Sequence, residues 1–226
     1  MKILITGDSW GRGAWGFDKD GQYANVHPGL QAFMEQDGHE VTNVSRPGGH
    51  NQEACWNMIP ELDKEHDIII WIQADPLRDL MPEDYDPIKH DFSSYDDLIN
   101  ASRSLQAKAY EAFANTNRVI HCLGGGGKLD LDLMSAHPNL IALVPSITEL
   151  VLDDYEHPRL WASDWIFLVD RQFDIASIEQ LLVDKRRQDS LGIKSSYKHF
   201  FYPDGQHPNE KGWHVVYQHI KPILGL

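Results

Sequence analysis

The sequence predicts an α/β fold, a three-layer α/β/α sandwich around a mostly parallel sheet of about five strands. Three observations carry this. Short apolar runs suited to buried parallel strands recur along the chain. Stretches of helical spacing separate them. One run, Asp67–Ile72, reads Asp-Ile-Ile-Ile-Trp-Ile and has the character of a central strand.

The elements follow in order. Lys2–Thr6 is a short apolar run that ends at Gly7, the first strand. Gly29–Asp37 spaces Leu30, Phe33 and Met34 as a helix does, and Gly38 is a natural stop. His39–Val44 is the second strand, followed by the turn Arg46-Pro47-Gly48-Gly49. Asn51–Leu62 reads as helix and Asp67–Ile72 as the third strand. Ser94–Asn115 carries Leu98, Leu105, Ala109 and Phe113 as a helical stripe. Arg118–Leu123 and Leu140–Val144 are the fourth and fifth strands. Ala176–Leu191 reads as a charged amphipathic helix, and Gly212–Leu224 as a final helix whose Pro222 should distort its last turn. Right-handed crossovers would join the strands. No repeat, linker or low-complexity tract divides residues 1–226, so one domain is expected.

Composition narrows the function classes. With 42% hydrophobic and 24% charged residues the chain has an ordinary globular make-up. A formal net charge of −14 argues against nucleic acid and against an anionic membrane surface, both of which select clustered Lys and Arg. Much of the acidity lies in Asp75–Asp97, with Pro76, Pro82 and Pro87, which reads as a solvated loop. Two cysteines, Cys55 and Cys122, are too few for a disulfide framework and suit a reducing compartment. The apolar start Met1–Thr6 is too short for a signal peptide, and no run approaches a membrane span, so a cytoplasmic protein is expected.

Two motifs at opposite ends carry the chemistry. Gly7-Asp8-Ser9-Trp10 follows the first strand, and Asp204-Gly205-Gln206-His207 lies near the C-terminus. A serine hydroxyl is a poor nucleophile at neutral pH and needs an adjacent base, which in turn needs an orienting partner. Ser9, His207 and Asp204 meet that need if the fold brings the ends together. An Asp three residues before a His can accept the Nδ1 hydrogen and leave Nε2 free as base. Ligands bind open α/β sheets beyond the carboxyl ends of the strands. Ser9, Gly48 and the Gln73–Asp75 segment all fall just past such ends. Gly48 serves the turn, and its backbone N–H suits close approach to an oxyanion.

These blocks resemble those of the SGNH or GDSL-type hydrolases. Gly7-Asp8-Ser9 matches the family's first block, Asn43-Val44-Ser45-Arg46-Pro47-Gly48 is similar to the second, and Asp204-Gly205-Gln206-His207 matches the fourth. The third block departs: where the family has Gly-x-Asn-Asp, this chain reads Trp71-Ile72-Gln73-Ala74-Asp75-Pro76. The resemblance implies a flavodoxin-like strand order and hydrolysis of an ester through an acyl-enzyme, without cofactor or metal. It implies Ser9 as nucleophile, His207 as base and Asp204 as orienting carboxylate. The oxyanion would rest on the N–H groups of Ser9 and Gly48, with the Gln73 carboxamide standing in for the missing asparagine. Ionised Asp75 would repel an oxyanion, so it and Trp10 are candidate substrate contacts instead. The substrate would be a small molecule or an ester-bearing glycan.

Other features compete with that reading. Gly124–Gly127 is a possible phosphate loop, although Lys128-Leu129 stands where a Lys-Ser/Thr pair is needed. That loop, on a flavodoxin-like nucleotide or phosphate binder, is one rival; a non-catalytic binding protein on the same fold is the other. Contact between Ser9 and His207 speaks against both. Of the twelve histidines, His214 and His219 are spaced i, i+5 and share no helical face, so no metal site is expected. Trp10 and Trp15, near Ser9, are placed to line a pocket. The acidic segment Asp75–Asp97 would then serve as a lid or specificity loop.

Overall fold

The computed structural model describes residues 1–17, 19–20, 22–79, 95–125, 128–151 and 207–226. In chain order the elements are β1 (Lys2–Gly7), α1 (Ser9–Arg12), β2 (Ala14–Phe17), β3 (Tyr23–His27), α2 (Leu30–Gln36), β4 (Glu40–Asn43) and α3 (Asn51–Met58). They continue with β5 (Ile68–Gln73), α4 (Tyr95–Ala114), β6 (Ile120–Gly124), α5 (Leu131–Met134), β7 (Leu140–Val144), α6 (Ile147–Val151) and α7 (Glu210–Leu224). Short 3₁₀ turns lie at Ile59–Glu61 and Pro76–Asp79.

Five strands form one sheet in the order β4-β1-β5-β6-β7, every neighbouring pair parallel. Counted along the sheet's own strands this is 2-1-3-4-5, the flavodoxin-like order, whose topological switch point falls between β1 and β5. Both central strands are mostly apolar because both of their faces are covered. All six residues of β5 are buried, and five of the six in β1. Alternate side chains go to opposite layers. Ile3, Ile5, Ile68, Ile70 and Ile72 pack against α2, α6 and α7, and Leu4, Ile69 and Trp71 against α3, α4 and α5. Trp71 stacks on Phe113 of α4 with ring centroids 3.9 Å apart.

Several expectations need correction. The segment 51–62 is helical only to Met58; Pro60 then tightens the chain into a 3₁₀ turn. Helix α7 runs through Pro222 to Leu224. Its end is closed by the Gly225 N–H on the Lys221 carbonyl, so one missing donor near a terminus leaves the helix intact. The start of the acidic segment is not a solvated loop: Pro76–Asp79 is ordered as a 3₁₀ turn, and Asp79 is buried. The antiparallel hairpin β2–β3 was not anticipated at all. The expected helix at 176–191, the remainder of the acidic loop at 80–94, and Asp204 lie outside the described residues. Among the described residues no helix is long and apolar enough to cross a membrane.

Candidate active site

The position of Ser9 is set by backbone packing before any side chain acts. Gly7 ends β1 against β5, where a Cβ would lie 2.6 Å from the Ile72 carbonyl oxygen, so no larger residue fits. Asp8 is the N-cap of α1 and its Oδ1 accepts the Trp10 N–H at 2.9 Å. Ser9 thus opens a one-turn helix at the carboxyl edge of the sheet, beside the switch point. Asn43, at the end of β4, donates from Nδ2 to the Gly11 carbonyl at 2.9 Å and holds that turn from the far side.

His207 reaches the same place from the other end of the chain. Its Nε2 lies 2.8 Å from Ser9 Oγ, a contact between residues 198 apart in sequence. With the proton on Nδ1, Nε2 accepts from the serine hydroxyl, as a general base must. Both residues are buried. Asn209, two residues on, caps α7 by accepting the Gly212 N–H at 3.1 Å, which ties His207 to a packed helix. The rings of Trp10 and Trp15 tilt against the imidazole, with centroids 5.8 and 6.1 Å away. Trp15 also donates its indole N–H to the Ser9 carbonyl at 2.8 Å.

Burial raises the carboxyl pKa of Asp8 above its ordinary value. The Arg78 guanidinium, the Trp10 N–H and His207 act in the opposite direction and offset it only in part. Arg78 stands 3.4 Å from Asp8 Oδ2 and arrives on the 3₁₀ turn that follows β5.

The second-block turn lies directly beside the Ser9 loop, because the Arg46 N–H donates to the Gly7 carbonyl at 3.0 Å. Pro47 and Gly48 occupy its centre, Gly48 at φ +73°, and the Gly49 N–H closes it on the Arg46 carbonyl at 3.0 Å. Proline followed by a positive-φ glycine is the pattern of a type II turn. The Gly48 N–H finds no acceptor among the described residues.

The third block is built differently from the expectation. Gln73 continues the alternation of Ile69 and Trp71, so its side chain faces the α4 layer. There it is fully buried, and its Nε2 lies 3.5 Å from the Lys128 carbonyl, which Gln106 of α4 also engages at 2.7 Å. Among the described residues no hydrogen bond joins the Gln73 side chain to Ser9. An asparagine does meet this loop, but it comes from α3. Asn51 Oδ1 accepts the Ala74 N–H at 2.8 Å, while its Nδ2 donates to the Ala74 carbonyl at 3.3 Å and to Asp79 Oδ2 at 2.7 Å. Both of its N–H bonds are therefore engaged. Asp79 also accepts the Gln52 N–H at 2.9 Å and faces His50 Nδ1 at 3.0 Å. Asp75 is half-buried just past β5. At the glycine loop after β6, the Gly125 N–H is taken by the Gln73 carbonyl at 3.2 Å.

Sequence reasoning missed Asp79, His50, Asn51 and Arg78. Asp79 was hidden inside an acidic run, and only its spacing from Pro76 hinted at a turn.

No family model matches the chain, and no curated protein matches it. Solved structures do. A chain described as TesA is 14% identical over 99% of this chain and 98% of its own, with a TM-score of 0.49. A lipase/acylhydrolase from Enterococcus faecalis is 13% identical over 99% and 95%, at 0.47. A member of the lipolytic protein G-D-S-L family from Veillonella parvula is 14% identical over 98% and 97%, at 0.44. This chain is similar to GDSL-type hydrolases. At such identities and scores the likeness is one of chain course, and it assigns no residue a role.

Proposed function

We propose that this protein is a serine hydrolase of carboxylic esters, acting on a short-chain ester or an O-acetylated carbohydrate. The observation that supports this most is the 2.8 Å contact between Ser9 Oγ and His207 Nε2 at the carboxyl edge of the sheet. A structural hydrogen bond elsewhere would need no strand-end serine and no buried histidine from the opposite terminus.

In this reading Ser9 Oγ attacks the ester carbonyl carbon while its proton passes to His207 Nε2. The backbone N–H groups of Ser9 and Gly48 receive the developing oxyanion. The tetrahedral intermediate collapses, the C–O bond to the alcohol breaks, and His207 returns the proton to the leaving oxygen. Water, deprotonated by His207, then attacks the acyl-Ser9 carbonyl; the bond between that carbon and Ser9 Oγ breaks, His207 returns the proton to Oγ, and the acid leaves. Asp204 is proposed to orient His207, given its place three residues before it. Trp10 and Asp75 remain proposed substrate contacts. Gln73, turned toward Lys128, is left out of the oxyanion site.

One observation favours a second reading, a slow or purely binding member of the same fold. Among the described residues Gln73 faces Lys128 and both N–H bonds of Asn51 are engaged, so no side-chain amide there serves the oxyanion, and one lost donor costs about a hundredfold or more in rate. A single experiment separates the two. Wild type and Ser9→Ala are compared on a short-chain aryl ester and with a serine-reactive phosphonate. Hydrolysis should fall by about a thousandfold or more in the variant, and the label should map to Ser9. Equal rates in both proteins, or no label on Ser9, would sink the hydrolase reading.

A further inference from the structure

The hairpin β2–β3 has no part in the main sheet, yet it touches both ends of the Ser9–His207 pair through one residue. Trp15 lies on β2 and pairs with Asn25 of β3. Asn25 in turn donates from Nδ2 to the Arg12 carbonyl at 2.9 Å, so the hairpin is pinned to the last residue of α1. From that base the indole N–H of Trp15 reaches the carbonyl of Ser9 at 2.8 Å. Its ring lies against His207 at 6.1 Å, while Trp10, on α1 itself, takes the other contact at 5.8 Å.

This geometry is more specific than core filling requires. Trp15 keeps part of its surface exposed, so interior packing alone does not account for its contacts. A half-exposed indole has water available for its N–H, yet it bonds the one carbonyl that fixes the nucleophile's backbone. We propose that Trp15 is a positioning residue for the Ser9–His207 pair: its N–H fixes the Ser9 peptide and its ring limits the imidazole's rotation. The inference rests on the hydrolase reading for its kinetic meaning, but the positioning itself does not. The physical reason is that a reacting pair displaced by about 1 Å loses on the order of a hundredfold in rate. A hydroxyl and an imidazole on elements from opposite ends of the chain need a common restraint. Among the described residues Asp8 lies within electrostatic reach of His207, with Arg78 behind it, while Asp204 is the proposed partner of its Nδ1.

Two substitutions separate the two contacts. Trp15→Phe keeps a ring and removes the N–H, and Trp15→Met removes both. Each is compared with wild type for the rate of phosphonate labelling at Ser9 and for the ring ¹⁵N signals of His207. Labelling should slow by about tenfold in Trp15→Phe and further in Trp15→Met. The His207 Nε2 signal should move away from that of a hydrogen-bonded acceptor in Trp15→Met, with the thermal midpoint of each variant little changed. Rates within twofold of wild type together with unmoved His207 signals would overturn the proposal. If wild type itself resists the phosphonate, the hydrolase reading fails instead. The ¹⁵N signals then decide the positioning role alone, a shift supporting it and no shift refuting it.

Discussion

At the scale of single residues, the site is governed by three that do no chemistry. Gly7 is the first. A side chain there would push against the Ile72 carbonyl at 2.6 Å, and main chain cannot swing aside as a side chain can. Gly7→Ala should therefore cost about 1–3 kcal/mol in urea unfolding and lower phosphonate labelling of Ser9, since β1 and β5 must part where Ser9 sits. Asp79 is the second, because it joins His50, Asn51 and Gln52 to the turn after β5. Asp79→Ala strips several buried donors of their acceptor at once and should destabilise by about 3 kcal/mol, again read by urea. Asp8 is the third. Its folded pKa lies above the unfolded value, so its contribution to stability is full below the unfolded pKa and is lost as pH rises through the folded one. Asp8→Asn keeps an acceptor for the Trp10 N–H without the charge. Its unfolding midpoint relative to wild type should improve as pH is raised from 4 toward 8, and a difference independent of pH would refute this. Ser9 and His207 were legible in the sequence because each sits in a short motif beside a predictable element. Asp79 and Asn51 were not, since their partners lie 28 residues apart and matter only once α3 and β5 are packed.

At the scale of elements, legibility followed length and exclusivity of burial. β1, β5, β7, α4 and α7 were read to within about two residues because a continuous apolar run or a long apolar stripe has few other uses. The hairpin escaped notice although Asp20-Gly21 lies between its strands, a known turn signal. Its first strand, Ala-Trp-Gly-Phe, holds no β-branched residue and follows a helix of one turn, so neither period is expressed. The third block misled for a different reason. Residue type alone made Gln73 a plausible amide donor, and only the strand's alternation sends it to the α4 face. α7 makes the strongest prediction at this scale. Asn209 accepts the Gly212 N–H, and His207 precedes it by two residues. Asn209→Ala should cost about 1 kcal/mol by thermal or urea unfolding. It should also weaken phosphonate labelling of Ser9 by more than that loss of folded protein explains, because the cap is the near anchor of His207.

At the scale of the whole molecule, the sheet order explains why the two ends meet. In a 2-1-3-4-5 sheet β1 is central, and the chain's first loop opens at the switch point; α7 returns to cover the same side through Trp213, Val216 and Ile220. A polar contact reinforces the closure. Lys221 of α7 donates to Asp37 at the end of α2 at 2.6 Å, and the Tyr217 hydroxyl donates to the same carboxylate. These two hydrogen bonds, Lys221 first, hold the Asp37 carboxyl below its usual pKa. The stability they give is thus present above the unfolded carboxylate pKa and is lost as pH falls through the folded one. Lys221→Met should lower the thermal midpoint at pH 7, and the gap from wild type should narrow as pH drops toward 3.

The Ser9–His207 contact spans 198 residues, and that separation has a temporal meaning. A ribosome adding roughly 5–20 residues each second delivers the hydroxyl some 10–40 s before the imidazole. Until the last helix emerges and docks, the serine on a nascent chain is an ordinary alcohol. If Ser9 acts as proposed, its reactivity is the final product of assembly, and a chain that ends before His207 lacks the base however well its sheet forms.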